Sequence, residues 1–522
     1  MSTPLRIFST GLLALCLFVA APLPALAADP ASAPYPGADW QLSTPEAQGM
    51  DSAALAGLYE YLASAGFNTD SVLVVRHGRI VSETYVPPYR AGLRHDLRSV
   101  TKSVVSTLVG AAIQEGKLQG TQQKALEFFP DRAPNSPAQA ALSVQNLLDM
   151  ATGIAWREWP YNADSDAYKL WGSEDWVRFI LERPVAEPGS QFKYIAAAPH
   201  LLSAILTRAT GQSAAEYGRR KLFATLGISD FSWHADPQGN SVGESSLRLK
   251  PRDMAKLGYL LLRNGRWGDQ QMLPPDWTDA VLSQGLPNGL GSTSAPPAYS
   301  RLWWTDSSVP YAAAEGRHGQ HIIVLPRHDV VLVVTSKAWD NSYRARAPEM
   351  VKRHLLPAIR GDQALPEDPA AQQRLARAIA GLVAKSRGIE SAQASQAARS
   401  LAGRRFTLAT NPGGYREFEL TLDGPQPGYL LLQADKTSLF GVARRGGPIA
   451  LDGQYAFTGL SGASRWARRG RWVDESTFRI ETQQLESAIV AEWTLHFHEG
   501  KLAITYADGD GVTFKLQGTP QE

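Results

Sequence analysis

Two serines in this 522-residue chain stand three residues before a lysine: Ser99 with Lys102, and Ser190 with Lys193. A serine hydroxyl is a poor nucleophile until a base takes its proton. A lysine amine can be that base where burial and neighbouring positive charge lower its pKa. Residues three apart share a helix face, so at a helix start the amine can reach the hydroxyl. The free N–H groups and positive dipole end of such a helix also favour an oxyanion forming beside the serine. Context separates the two pairs. Ser190 follows Pro188-Gly189 in a loop pattern. Ser99 opens the run SVTKSVVSTLVGAAIQ, in which Val100, Val104, Leu108 and Ala111 or Ala112 recur at helical spacing.

Other constellations carry less. The chain has no G-x-S-x-G nucleophile elbow and no H-E-x-x-H zinc motif. His496 and His498 sit two apart on a strand pattern and read as a solvated face, so no metal is expected. Trp156, Trp159, Tyr168, Trp303 and Trp304 are candidates to line an apolar pocket.

The elements that must hold Ser99 and Lys102 are legible as patterns. Residues 72–76 and 79–86 are strand-like runs around His77-Gly78, a hairpin signal. Residues 198–209 and 251–263 read as helices, the second with Pro251 in its first turn. HIIVL (321–325) and VVLVVTS (330–336) are dense β runs. Strands open this region, helices fill it and strands close it, which predicts an α+β domain over 41–360 with an antiparallel sheet. Residues 361–402 are rich in Ala and Gln and read as a helical linker. From 403 to 522, short alternating strands between Gly-rich turns predict a small all-β domain, a barrel or sandwich. With no nucleophile–base pair of its own, it is expected to be an accessory module with few contacts across the linker.

Hydrophobic residues are 44% and charged residues 20% of the chain, an ordinary globular balance. The net charge of +2 points to no nucleic-acid partner. Arg6, an apolar run from Gly11 to Ala21, and Ala25-Leu26-Ala27 predict a signal peptide over 1–27, then a Pro/Ala-rich leader over 28–40. Export to the periplasm or medium is therefore expected, with no membrane span after cleavage. The only cysteine, Cys16, lies inside that segment, so disulfides and thiolate chemistry are excluded from the mature chain.

The segment RHDLRSVTKSVVSTLVGAAIQEGKL resembles the nucleophile helix of the class C β-lactamase-like serine hydrolases, a superfamily that includes carboxypeptidases, esterases and 6-aminohexanoate-oligomer hydrolases. The resemblance continues through LLDMATGIAW (147–156), residues 181–212, residues 247–278 and GRHGQHIIVLPRHDVVLVVTS (316–336). It implies a β-lactamase/transpeptidase-like fold with a helical subdomain and no cofactor. It makes Tyr194 the family tyrosine that relays a proton to the leaving group. It sets Ala314-Glu315-Gly316 at the family's third motif, with Arg317 giving the second oxyanion N–H beside that of Ser99. Gly316 and His318 join Trp156, Tyr168 and Trp303 as pocket candidates.

Two departures matter. Tyr-x-Asn has become Tyr194-Ile195-Ala196, and the third motif's lysine or histidine has become Ala314. Both put β-lactam recognition in doubt and bring the chain closer to the esterase and 6-aminohexanoate-oligomer branch. The expected activity is hydrolysis of a small carboxylic ester or amide through an acyl-enzyme on Ser99. The alternatives are a penicillin sensor that acylates once and stalls, a true β-lactamase or D,D-peptidase, and a dead scaffold.

Overall fold

The computed structural model describes residues 34–522 except 38, 65–66, 161, 284, 290–295, 340–345, 386–389, 435–441 and 460–464. The expected signal peptide, with Cys16, lies outside the described residues. Part of the expected leader is packed: Trp40 is buried, the Tyr259 hydroxyl donates to the Pro34 carbonyl, and Tyr35 meets Trp267 edge-on. No helix among the described residues is long and apolar enough to cross a membrane.

The first core is built on a sheet. Its strands are β1 (Gln41–Leu42), β2 (Thr69–Arg76), β3 (Arg79–Tyr85), β8 (Leu286–Pro287), β9 (Ala298–Ser300), β10 (Trp303–Asp306), β11 (Tyr311–Gly316), β12 (Gln320–Leu325) and β13 (Val330–Ser336). Two small pairs lie outside it, β4 (His95–Asp96) with β5 (Arg248–Leu249) and β6 (Arg266–Trp267) with β7 (Gln270–Gln271). The sheet order is β1-β3-β2-β13-β12-β11-β10-β9-β8. The early hairpin thus lies beside the late strands, and the sheet is antiparallel as expected except where β1 joins β3 in parallel.

Helix α1 (Ser52–Leu62) covers one face, and α2 (Val100–Gln114) with the helix Pro251–Leu262 covers the other. Gly258 of the latter approaches so closely that a Cβ there would lie 2.7 Å from Val331 and 2.8 Å from Ile322. Helix α2 is rich in Val, Ser and Thr, poor helix formers on their own. Tertiary burial holds it instead, because every residue from Val100 to Ala112 is buried. Its single apolar face in the sequence pattern has become burial all round.

The second core is a ten-stranded antiparallel sheet, β14 to β23, running from Arg405–Leu408 to Thr513–Pro520. Its edge strands, Val442–Pro448 and Ala456–Thr458, return to each other's side, so the sheet forms a nearly closed barrel. Phe406, Phe418, Leu431, Ile480, Leu495 and Ile504 fill it.

The stretch expected as a linker is divided between the two cores. Helix Pro369–Ala384 lies on α1, with Leu375 and Leu382 in the first core. Helix Gln396–Ala402 puts Ala398 and Ala402 into the barrel core. The expectation of few crossing contacts is also corrected. Tyr89 and Leu93 pack with Ala467 and Leu485, Arg94 meets Glu486 at 2.8 Å, and Asp510 reaches Arg98, Arg317 and His318. The apolar patch and the charged pairs complement each other across the two cores.

Leu382 is 3% exposed and seated in the first core. Leu382→Ala is expected to destabilise the chain by about 2–4 kcal/mol. A denaturant titration should show the lower midpoint with an unchanged slope; a parental midpoint would mean that this helix is not part of the first core.

Candidate active site

Ser99 is the last residue before α2 and already has helical backbone angles, φ −68° and ψ −10°. The loop that delivers it is pinned by three sets of hydrogen bonds. The β4–β5 pair anchors His95 and Asp96, Leu97 N–H donates to the Leu247 carbonyl, and Arg98 N–H donates to Asp96 Oδ1. Arg98 sits in the left-handed region at φ +49°, a conformation that a non-glycine residue keeps only where its surroundings enforce it.

Lys102 Nζ lies 3.0 Å from Ser99 Oγ and donates to the Glu244 carbonyl at 2.7 Å. Its ammonium also lies 5.1 Å from the centre of the Tyr194 ring. That ring stacks on Trp304 and meets Tyr299 edge-on. Lys102 is buried, while Ser99 and Tyr194 are half-buried. The three residues named from the sequence therefore converge at one half-open point.

Strand β11 closes the opposite side. A Cβ on Gly316 would lie 2.5 Å from the Leu97 carbonyl oxygen and 3.2 Å from Arg98 Cβ, so only glycine lets this strand end approach the loop before Ser99. Arg317 follows at once, which brings its backbone beside the Ser99 segment. Among the described residues, no acceptor takes the Ser99 N–H.

The β-lactamase family profile matches residues 47–355. The chain belongs to the β-lactamase family. Over 286 residues it is 28% identical to the 6-aminohexanoate-dimer hydrolase of Paenarthrobacter ureafaciens, covering 51% of this chain and 72% of that one. A solved structure, a candidate 6-aminohexanoate-dimer hydrolase from Bacillus anthracis, superposes with a TM-score of 0.50 at 20% identity, over 64% of this chain and 89% of that one. At that identity the likeness is one of fold. The protein is a serine hydrolase of the amidase or esterase kind.

Within this serine hydrolase the rival pair is far less suited. Ser190 is exposed and donates to the Glu187 carbonyl, and Lys193 is exposed. The aromatic candidates divide. Trp304, on β10, faces Tyr194, so strand alternation turns Trp303 to the other side of the sheet, and its reading as a pocket residue is corrected. Trp156 is buried beneath the site, packed edge-on against Phe179, and is no pocket wall. Tyr168 is 51% exposed at the rim, edge-on to Trp171. His318 is fully buried, with its ring held between the Ala338 carbonyl and Asp510, and is likewise not a free pocket wall. His496 and His498 stack on the barrel surface, and no metal-holding group of His, Cys, Asp or Glu occurs among the described residues.

Two acidic residues near Lys102 have no motif in the sequence to announce them. Glu244 supplies the carbonyl that Lys102 reaches, and its carboxylate accepts from Trp171 Nε1 at 2.9 Å. Glu158 accepts from Trp156 Nε1 at 2.7 Å and from the Ala196 N–H at 2.8 Å. Ala196 is the motif position that lacks asparagine. Burial pushes the Glu158 carboxyl above the usual glutamate range; the Ala196 N–H, the Lys102 charge and the Trp156 N–H oppose that rise without cancelling it.

The folded chain thus binds this proton more tightly than the unfolded chain does. The stability it contributes is complete below the unfolded value of about 4.3 and is lost as pH rises through the folded value. Glu158→Gln removes that loss. The variant-minus-parent difference in Tm is expected to grow as pH rises above about 4.3; a difference that stays flat with pH would mean that Glu158 titrates alike in both states.

Proposed function

We propose that this serine hydrolase cleaves small carboxylic esters or amides through an acyl-enzyme on Ser99. The observation that carries the reading is the 3.0 Å contact between Lys102 Nζ and Ser99 Oγ at the start of a buried helix. In its neutral form the Lys102 amine takes the hydroxyl proton as Ser99 Oγ bonds to the carbonyl carbon. The backbone N–H groups of Ser99 and Arg317 receive the oxyanion. Tyr194, against Lys102, passes a proton to the leaving alkoxide or amine as the C–O or C–N bond breaks. Water then attacks the acyl carbon, gives up its proton to the same network, and releases the acid and the Ser99 hydroxyl.

The aromatic wall of Tyr194, Tyr299 and Trp304 supports an apolar acyl or leaving group. Ala196 and Ala314 are both buried and offer no polar side chain to grip a β-lactam. The relative named as a 6-aminohexanoate-dimer hydrolase supports small linear amides as a substrate class. The predicted signal segment supports export.

Removing a positioned general base typically costs about 10²–10⁴ in rate. Lys102→Ala should lose at least that in kcat with a normal melt. Lys102→Arg should be nearly as poor, because guanidinium stays protonated and cannot accept the serine proton. An arginine variant with parental kcat would remove Lys102 as the base. A fluorophosphonate should label each chain once, at Ser99, by peptide mapping.

Substrate class is tested with a p-nitrophenyl ester, a short linear amide and a chromogenic cephalosporin. Ester kcat/KM should exceed cephalosporin kcat/KM, with many turnovers per chain. The reverse ranking would return the reading to a β-lactamase, and one product per chain would make it a sensor.

A further inference from the structure

Among the described residues, the barrel reaches the candidate active site through one turn. Strand β22 (Lys501–Asp508) and strand β23 (Thr513–Pro520) are joined by Gly509-Asp510-Gly511-Val512. The turn is rigidly built. Asp508 Oδ1 accepts from the N–H groups of Asp510 and Val512, Gly511 N–H donates to the Asp508 carbonyl, and Gly509 N–H donates to the Val490 carbonyl. Gly511 takes φ +87°, which glycine alone adopts without strain. Gly509 lies against His318 and the Trp339 carbonyl, where a Cβ would sit 3.5 Å from each.

This turn presents Asp510 to three donors on the first core. Oδ1 lies 2.9 Å from His318 Nε2 and 3.2 Å from Arg317 Nη1, and Oδ2 lies 3.2 Å from Arg98 Nη2. Burial alone would raise this carboxyl, but the His318 hydrogen bond and the Arg98 and Arg317 charges outweigh it and hold it well below the usual carboxylate range. Charge-assisted bonds of this kind are roughly twice as strong as neutral ones.

The three partners are not scattered. Arg98 precedes Ser99, while Arg317 and His318 follow Gly316 at the end of β11. Arg98 and His318 are both non-glycine residues in the left-handed region, at φ +49° and φ +68°. Strain of that kind persists only where neighbours over-determine it. One carboxylate from the barrel therefore fastens the two strained segments that carry the N–H groups of Ser99 and Arg317.

We propose that Asp510 is a positioning residue of the active site: it sets the spacing between the nucleophile loop and the end of β11, and the barrel is a working part of the hydrolase. This rests on the acyl-enzyme reading above. Asp510 touches no reacting atom; it acts through Arg98, Arg317 and His318. Loss of its charge should let the two segments separate, lowering transition-state stabilisation more than ground-state binding.

The test uses the full chain and p-nitrophenyl butyrate. Asp510→Asn and Asp510→Ala should lower kcat by about 10–100-fold, the scale of a misplaced oxyanion donor, with KM changed by less than about threefold. Glu486→Gln breaks another bridge between the two cores, to Arg94, and is the control; its kcat should stay within about twofold. Should Asp510→Asn lose its cooperative melt, Arg317→Met removes one partner and keeps the carboxylate, with an expected fall of about three- to tenfold in kcat.

Parental kcat in a folded Asp510 variant, or in Arg317→Met, would overturn the proposal. An equal loss in Glu486→Gln would also overturn it, because docking of the cores alone would then explain the effect. Ser99→Ala separates the two readings. If Ser99→Ala stays active, the acyl-enzyme reading has failed; if it is inactive while Asp510→Asn is normal, only the role of Asp510 has failed.

Discussion

A lysine amine 3.0 Å from a serine hydroxyl demands a backbone that cannot shift, and the first turn of α2 meets that demand by burial. Helix α2 has little intrinsic reason to be helical, since valines, serines and threonines make up most of its first three turns. The sheet on one side and the helix Ala197–Thr210 on the other force the conformation. Ser103 Oγ donates to the Leu302 carbonyl and Thr107 Oγ1 to the Ser103 carbonyl, so even the polar side chains of the helix are tied inside. Serine and lysine inherit their geometry from the core.

The surroundings of that pair are aromatic and acidic together. Tyr194 lies against the Lys102 amine, and Trp304 and Tyr299 pack on Tyr194. Glu158 and Glu244 lie nearby, each held by an indole N–H. A buried carboxyl beside a lysine in a weakly polarisable setting is electrostatically consequential, since such interactions strengthen as water is excluded. The Ala196 N–H is already committed to Glu158. The departure from Tyr-x-Asn thus removes a polar side chain at that point and leaves a satisfied backbone group in its place.

The two cores are joined by several unlike contacts. An apolar cluster around Tyr89 and Leu485, the Arg94–Glu486 pair and the Asp510 contacts each cross between them. Lys337, buried and paired with Asp70, adds a polar anchor at the edge of the cleft between them, beside Tyr455 and Glu481. Burying these charges is tolerable because each has a partner. The same contacts set the orientation of the barrel turn against β11.

Much of this was legible in the chain because it is local. Helical spacing from Val100 to Ala112, the β runs at 321–325 and 330–336, and the alternating strands beyond 403 follow from periodicity, which needs only near neighbours. The Ser99–Lys102 pair was legible for the same reason, as an i,i+3 relation on one helix. The order of strands, early hairpin beside late strands, could be argued from their sequence order, though the parallel β1 could not. What the chain could not reveal joins residues distant along it. Trp303 and Trp304 are adjacent in sequence, and only the pairing of β10 decides which faces Tyr194. Residues 361–402 look like a linker by composition, yet Leu375 and Leu382 find a groove on α1. Asp510 reads as an ordinary turn residue, and only the docking of the barrel carries it to His318, 192 positions away. Local pattern determined which segments fold and which serine stands one helical turn from a lysine; the packing of separate cores decided which side chains surround it, because contact across such distances depends on how whole surfaces fit together.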